Sequence, residues 1–161
     1  MEVPLIAAAV FVVVVLILAG RRLLRPGRPP YRKVDSLLTA AERSFYGVLL
    51  KAVDGETLVF AKVRLADVLW LPRDTRDRQA HHNRIIGKHL DFVLCSRDTL
   101  APRLAIELDD SSHSRPARRE RDSFVDAALS AAGLPLLRVP VRRAYSPHDL
   151  GEMIRGLLTP L

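Results

Sequence analysis

The sequence predicts an α/β domain with a mixed β-sheet, preceded by one N-terminal transmembrane helix. Residues 3–20 form an uncharged run dominated by Val, Ala, Leu and Ile. Beyond residue 34, stretches with helical apolar spacing alternate with short β-rich runs, which is the pattern of an α/β fold. The 161 residues suffice for one domain of ordinary size. An apolar fraction of 48% argues against a disordered chain, and the single Cys95 excludes a disulfide framework or a Cys-rich zinc site.

The apolar run has the features of a membrane anchor. As a helix it would span about 27 Å, close to the hydrocarbon thickness of a bilayer. A cleaved signal peptide needs a positive N-terminal region, whereas this chain has Glu2 there and places arginines directly after the run. A buried core helix is rarely apolar on all sides for so long. We therefore expect residues 1–24 to form a single-pass anchor that meets the lipid bilayer through residues 3–24. The basic flank puts the C-terminal domain in the cytoplasm, so we expect the anchor to lie in the inner (cytoplasmic) membrane.

Most of the positive charge lies next to this run. Of the formal net charge of +7, Glu2 contributes −1, residues 21–33 contribute +6, and residues 34–161 contribute only +2. A basic segment beside an anchor sets orientation and meets anionic head groups, so it does not by itself indicate nucleic acid. Four proline and glycine residues make residues 25–34 a short, stiff, basic tether. Residues 35–161 remain as the folded domain.

Local patterns predict the order α-β-(β?)-β-β-α-β-α in that domain. A capping box from Thr39 to Glu42 begins the first helix. Two apolar runs around a turn-like segment predict a β-hairpin. The predicted elements are a helix from residue 39 to 53, strands at 57–63, 89–96, 103–109 and 136–141, a helix at 118–132 and a last helix from residue 146. Residues 66–71 fit either a strand or a helical turn, and residues 72–83 fit a loop or a short exposed helix.

Acidic residues meet at the open end of the predicted hairpin. Glu107 and Asp109 lie two apart on one strand, and therefore on one face. With the turn centred near residues 99 and 100, Asp91 of the other strand lies opposite them. Three such carboxylates raise one another's pKa unless a cation lies among them, and oxygen-rich sites suit Mg²⁺ or Mn²⁺. The alternative is a strand end whose solvated acids cap the next turn.

These motifs resemble two known groups of proteins. Asp91-Phe92, the Glu107-x-Asp109 strand and His113 resemble the PD-(D/E)xK superfamily, near its very-short-patch-repair endonuclease branch. The longer string of residues 62–68 (KVRLADV), 91–95 (DFVLC) and 106–113 (IELDDSSH) is similar to one uncharacterised bacterial domain-of-unknown-function family. The resemblance covers about residues 31–158. It implies a restriction-endonuclease-like mixed sheet with an αβββαβ core.

The resemblance also implies a metal-dependent endonuclease chemistry, the hydrolysis of phosphodiester bonds in DNA, or alternatively RNA. It assigns Mg²⁺ or Mn²⁺ to Asp91, Glu107 and either the carbonyl of Leu108 or the carboxylate of Asp109. His113 would act as the acid or base, since histidine titrates near neutral pH. Glu42 would orient a metal-bound water.

The chain departs from the superfamily pattern at one position. Asp109 stands where the motif has lysine. Lys62 or Lys88 from a neighbouring strand, or His113, would have to take that role. Candidate phosphate-binding residues are Lys62, Arg115, Arg118, Arg119 and Arg121. These arginines alternate with acids, so a solvated helix face is an equal interpretation.

Two functions follow from these expectations. The first is a membrane-anchored, metal-dependent nuclease that acts on DNA. The second is a catalytically inactive module of the same fold that binds nucleic acid or protein at the membrane. The missing lysine and the near-neutral charge of residues 34–161 favour the second.

Overall fold

The computed structural model describes residues 3–23, 29–53, 55–109 and 116–158. The helices are α1 (Val3–Leu23), α2 (Ala40–Ala52), α3 (Leu65–Val68), α4 (Arg78–Ile86), α5 (Pro116–Ala131) and α6 (Pro147–Leu158). The strands are β1 (Thr57–Arg64), β2 (His89–Ser96), β3 (Pro102–Asp109) and β4 (Leu136–Pro140). Contacts divide the chain into two compact units, Met1–Asp35 and Ser36–Leu161.

The expected membrane anchor is wrong. In the part of the chain that the structure describes, no helix combines the length and the apolar character needed to cross a bilayer. Helix α1 includes Gly20, Arg21 and Arg22 in its last turns. This finding contradicts the transmembrane helix of the predicted fold class. It also contradicts the inner-membrane location, which was based on that helix.

The second unit contains one four-stranded mixed sheet in the order β1-β2-β3-β4. Strands β1, β2 and β3 are antiparallel neighbours, and β3 pairs with β4 in parallel. The predicted hairpin is confirmed, and Phe92 pairs with Ile106. Helix α5 connects the parallel strands, as such a crossover requires.

The sheet separates two buried clusters. The α2/α6 cluster joins those helices to one face and includes Phe45, Phe92, Ile106 and Ile154. The α5 cluster covers the other face and includes the following buried residues: Leu65, Ile85, Leu90, Val93, Ala105, Val125 and Leu129. From Phe92 to Cys95 in β2 and from Leu104 to Ile106 in β3, successive residues alternate between the clusters because side chains of a strand alternate between its faces. A two-sided sheet of this kind holds the strand ends rigidly.

The capping box that predicts the start of α2 is confirmed. The Thr39 hydroxyl accepts a hydrogen bond from the Glu42 amide at 3.3 Å, and the Thr39 amide donates to Glu42 Oε2 at 2.9 Å. Such reciprocal bonds satisfy two otherwise unpaired helix-end donors. The ambiguous residues 66–71 contain part of helix α3. Helix α4 begins within residues 72–83, the segment predicted as a loop or short exposed helix, and extends beyond it to Ile86.

Candidate active site

A polar cavity of about 230 Å³ lies where α2, β2, β3, β4 and α5 meet. Its lining residues are Glu42, His89, Asp91, Glu107, Leu108, Asp109, Arg121, Asp122 and Arg138. Four of the five carboxylates in this set are residues that the sequence marks as candidates. The structure therefore brings Glu42, Asp91, Glu107 and Asp109 to one cavity.

Lys62 joins two of these carboxylates. Its Nζ atom lies 2.5 Å from Glu42 Oε1 and 3.3 Å from Asp91 Oδ1. The Lys62 side chain is 29% exposed, and that of Glu42 is 12% exposed. An ammonium group shared by two largely buried carboxylates is held in one place, because each contact limits the rotamers of the long side chain.

The backbone of β1 is irregular at Lys62. Its φ is 56°, in the left-handed region that a non-glycine residue rarely adopts. Residues two apart in a regular strand lie on the same face. Here Ala61 packs against the α2/α6 cluster, whereas Val63 packs against the α5 cluster. The strand therefore changes face at Lys62.

Strand β2 makes the same change directly opposite. Phe92 belongs to the α2/α6 cluster, and Leu90 belongs to the α5 cluster, so the alternation breaks at Asp91. The register runs from Ala61↔Phe92 to Val63↔Leu90 with Lys62 and Asp91 between these pairs. The two strands thus reverse together, and the ion pair lies at the reversal.

Asp91 also holds the end of β3. Its Oδ2 atom accepts a hydrogen bond from the Leu108 amide at 3.0 Å. The β2–β3 ladder reaches Phe92↔Ile106 at this end. Beyond that pair, a carboxylate takes the acceptor role that a backbone carbonyl has in a regular ladder. This substitution orders the segment from Glu107 to Asp109 along the cavity.

Strain at Lys62 leads to a stability prediction. Glycine has no Cβ and adopts positive φ without steric cost, whereas alanine does not. We expect Lys62→Gly to be more stable than Lys62→Ala by about 1 kcal/mol. Both variants lose the same ion pairs, so their difference isolates the backbone. Urea unfolding of both variants measures it, and equal midpoints would rule out strain at this position.

Arg138 occupies the other side of the cavity. Its Nη1 atom lies 2.9 Å from Glu107 Oε2, and its Nη2 atom lies 2.9 Å from Asp126 Oδ1. Glu107 and Arg138 are register partners in the parallel pair, which places their side chains on the same face. One guanidinium thus holds a strand carboxylate and a helix carboxylate together.

The three central groups have shifted pKa values. Burial raises the pKa of Glu42, but bonds from Lys62 and the Thr39 amide outweigh it and leave that pKa below its ordinary value. Burial lowers the pKa of Lys62, but the Glu42 and Asp91 carboxylates outweigh it and raise that pKa. Lys62 is therefore an ammonium at neutral pH. Burial raises the pKa of Glu107, and Arg138 offsets this only in part.

The structure distinguishes between the candidates for the missing lysine. Lys62 contacts two cavity carboxylates. Lys88 instead donates to the carbonyl of Arg84 and lies over the ring of Phe124. His113 and Arg115 lie outside the described residues, as do the side chains of Arg118 and Arg119. Arg121 lines the cavity.

Three lining residues are absent from the predicted site: His89, Asp122 and Arg138. His89 lies two residues before Asp91 in the same strand, so strand alternation in the sequence could have identified it. Asp122 lies three and seven residues before the buried residues Val125 and Leu129, so helical periodicity could have placed it on the inner side of α5. Arg138 depends on the parallel register of β3 and β4, which no local pattern contains.

The donor atoms of the cavity are carboxylate oxygens, which Mg²⁺ and Mn²⁺ prefer. Within residues 3–23, 29–53, 55–109 and 116–158, however, no group of three or more His, Cys, Asp and Glu side chains is arranged to hold a metal ion. Cationic side chains contact the carboxylates instead, with Lys62 on Glu42 and Asp91 and Arg138 on Glu107. The carboxylate oxygens are therefore suitable ligands for a divalent ion, while Lys62 and Arg138 balance part of their negative charge in this structure.

Comparison with known proteins places this domain in a family. No curated protein and no solved structure matches the chain significantly. A family model described as "Protein of unknown function (DUF2726)" matches residues 34–157, most of the chain and all of its cavity residues. The expected similarity to a domain-of-unknown-function family is confirmed, whereas kinship with PD-(D/E)xK nucleases stays a prediction. The chain belongs to the DUF2726 family of proteins of unknown function.

Proposed function

We propose that this chain is a metal-dependent phosphodiesterase that cleaves DNA. The observation that carries the proposal is the position of Lys62. Its ammonium contacts Glu42 and Asp91 at the edge of the cavity that Glu107 and Asp109 line. From strand β1, which is separated from β3 by β2, it would supply the cation that the Glu107-Leu108-Asp109 sequence lacks.

The topology supports the same proposal. Helix α2, the antiparallel strands β1, β2 and β3, helix α5 and the parallel strand β4 follow the αβββαβ order of the restriction-endonuclease-like core. Fold alone does not assign an activity. The argument therefore rests on the charged groups at the centre of this sheet.

Each group has a role in hydrolysis that its contacts suggest. Asp91, Glu107 and Asp109 would hold a divalent ion, which supplies Lewis-acid stabilisation and an activated water. Lys62 remains protonated and stabilises negative charge that develops on the phosphoryl oxygens. Glu42, fixed by Lys62 and the Thr39 amide, keeps that ammonium at the cavity. Arg121 faces the cavity and binds a phosphate of the substrate.

Backbone strain at Lys62 agrees with such a role. Sparsely populated φ values persist where the surrounding structure compensates their cost, and they concentrate at functional sites. Among the described non-glycine residues with positive φ, Asp77 caps a helix and Leu100 lies in the hairpin turn. Lys62 instead lies within strand β1. The left-handed backbone at Lys62 directs its ammonium toward the carboxylates of Glu42 and Asp91.

The experiment measures metal binding and cleavage with the full chain. Wild-type protein is expected to gain thermal stability with millimolar Mn²⁺, because a ligand that binds only the folded state stabilises it. It is also expected to cleave plasmid or single-stranded DNA, with RNA as a parallel substrate. Asp91→Asn and Glu107→Gln should lose both effects. Asp149→Asn, an exposed acid of α6, is the matched control and should retain both.

One observation favours a second function, a non-catalytic nucleic-acid-binding module. Glu42, Asp91 and Glu107 already have cationic partners, and the described residues contain no preformed metal cluster. Binding of DNA without any thermal response to Mn²⁺ and without cleavage would establish this function. Cleavage that persists in Asp91→Asn and Glu107→Gln would come from a contaminant and would sink the enzyme proposal.

A further inference from the structure

A second cavity, which also has α5 as a wall, has the opposite character. It is a largely apolar groove of about 630 Å³ between α5 and the segment that contains α3 and α4. Trp70 and Phe124 supply its aromatic surface, and Ala127 and Ala131 supply part of its α5 wall. We call it the Trp70 groove.

Trp70 is exposed in a way that packing does not explain. It is 79% exposed, and it is the single tryptophan of the chain. Trp buries a large area when it packs, so leaving it in water forfeits much hydrophobic stabilisation. An exposed aromatic side chain at the rim of an apolar groove marks a surface for a flat apolar partner.

The charge around the groove indicates what kind of partner fits. The segment 70–88 carries five Lys and Arg against two Asp, a formal charge of +3. The guanidinium of Arg84 lies 4.1 Å from the centroid of the Phe124 ring, and Lys88 Nζ lies 5.0 Å from it. Cations above an aromatic surface suit a ligand that is anionic at one edge and aromatic at the other, as a nucleotide is.

The groove and the acidic cavity are adjacent along α5. Arg121 and Asp122 line the acidic cavity, and the next two residues, Ser123 and Phe124, line the Trp70 groove. Successive residues of a helix point about 100° apart, so the two sites lie on neighbouring sides of α5. A polynucleotide chain that places a phosphate at the acidic cavity passes around this helix to bring its bases to the groove.

We propose that the Trp70 groove binds unpaired nucleobases. This rests on the proposed phosphodiesterase function and names its substrate class as single-stranded or locally unpaired nucleic acid. Bases stack on Trp70, and Arg84, which lines the groove, contacts the phosphates beside them. A paired base is already stacked within its duplex, so only an unpaired one offers its face without the cost of unstacking.

The test uses the emission of Trp70 in the full chain, with EDTA present so that no cleavage takes place. An oligo(dT) strand should quench the emission. An abasic strand of equal length, which has the same phosphates and no bases, should not, and neither should a blunt duplex. Equal quenching by all three, no binding of oligo(dT), or an emission change with protein concentration alone would overturn the proposal. The last result would identify a second copy as the occupant.

Variants separate stacking from folding. Trp70→Ala should weaken oligo(dT) binding, measured by anisotropy of a labelled strand, by about tenfold or more. Trp70→Phe keeps a ring and should remain within about threefold of wild type. Phe60→Ala, at an aromatic residue of β1 that is 42% exposed, is the control and should bind normally. Quenching by oligo(dT) without cleavage in Mn²⁺ would reject the phosphodiesterase proposal and support base binding at the Trp70 groove. Cleavage without quenching would support the phosphodiesterase and reject base binding at the groove.

Discussion

Replacing Lys62 with methionine is expected to lower the rate of Mn²⁺-dependent DNA cleavage by about 10²–10³-fold. Methionine keeps most of the side-chain length and removes the ammonium that contacts Glu42 and Asp91. The charge that develops on the phosphate then loses a fixed cation in a partly buried site, where water replaces it poorly. Initial rates of plasmid cleavage by the full chain, at saturating Mn²⁺, measure the effect.

Lys88→Met is the matched control. Lys88 lies just before β2 and bonds to the Arg84 carbonyl, away from the carboxylates. Its loss should change the cleavage rate of a saturating duplex substrate by less than about threefold. Lys62→Met and Lys88→Met should both remain folded by circular dichroism. A Lys62→Met protein that cleaves as fast as Lys88→Met would show that Lys62 has no part in the chemistry.

Replacing Phe45 with alanine is expected to lower the free energy of unfolding by about 3–5 kcal/mol. Phe45 is fully buried, and its ring centroid lies 5.6 Å from that of Phe92 and 5.1 Å from that of Tyr145. The substitution leaves a cavity between α2 and the sheet, where neighbours with defined rotamers cannot collapse fully. Urea unfolding of the full chain, followed by circular dichroism, gives the value.

Phe60→Ala is the control for this stability prediction, because it removes the same atoms from a side chain that is 42% exposed. Its cost should stay within about 1 kcal/mol. The loss at Phe45 should lower the melting temperature by about 10 °C. Similar losses for the two variants would mean that α2 does not pack on the sheet as described.

The packing of helix α2 on the sheet also positions a residue of the candidate active site. Helix α2 carries both Phe45, which anchors it to the sheet, and Glu42, which contacts Lys62. The two residues are three apart and therefore lie on the same side of the helix. Burial of Phe45 thus fixes the height of Glu42 above β1, and the capping box fixes its rotamer. Stability and the placement of the site have a common origin.

The sequence predicted much of the second unit because its signals are local. The capping box at Thr39 and the hairpin around residues 96–102 each depend on neighbouring residues. The acids Asp91, Glu107 and Asp109 were identified in the same way, from strand alternation and one antiparallel pairing. Their meeting at one cavity with Glu42 follows from that pairing and from the packing of α2.

The N-terminal prediction failed for a related reason. Hydropathy counts apolar residues along the chain, and residues 3–20 satisfied it. The described helices include none that meets both the length and the apolar character of a membrane span. The apolar run has only about the minimum length for a membrane span, and Arg21 and Arg22 follow it within the same helix. Counting apolar residues along the sequence therefore predicted a span that the described helix does not provide.

By itself, the sequence determined the order of helices and strands and the identity of the acidic residues, since both depend on spacing within a few residues. Only the tertiary structure decided which cations meet those acids. Lys62 reaches Glu42 and Asp91 because two strands change face together at a left-handed residue. Arg138 reaches Glu107 because β4 pairs in parallel with β3. Both contacts join residues far apart in the chain, and their energies depend on burial and register, which no local pattern encodes.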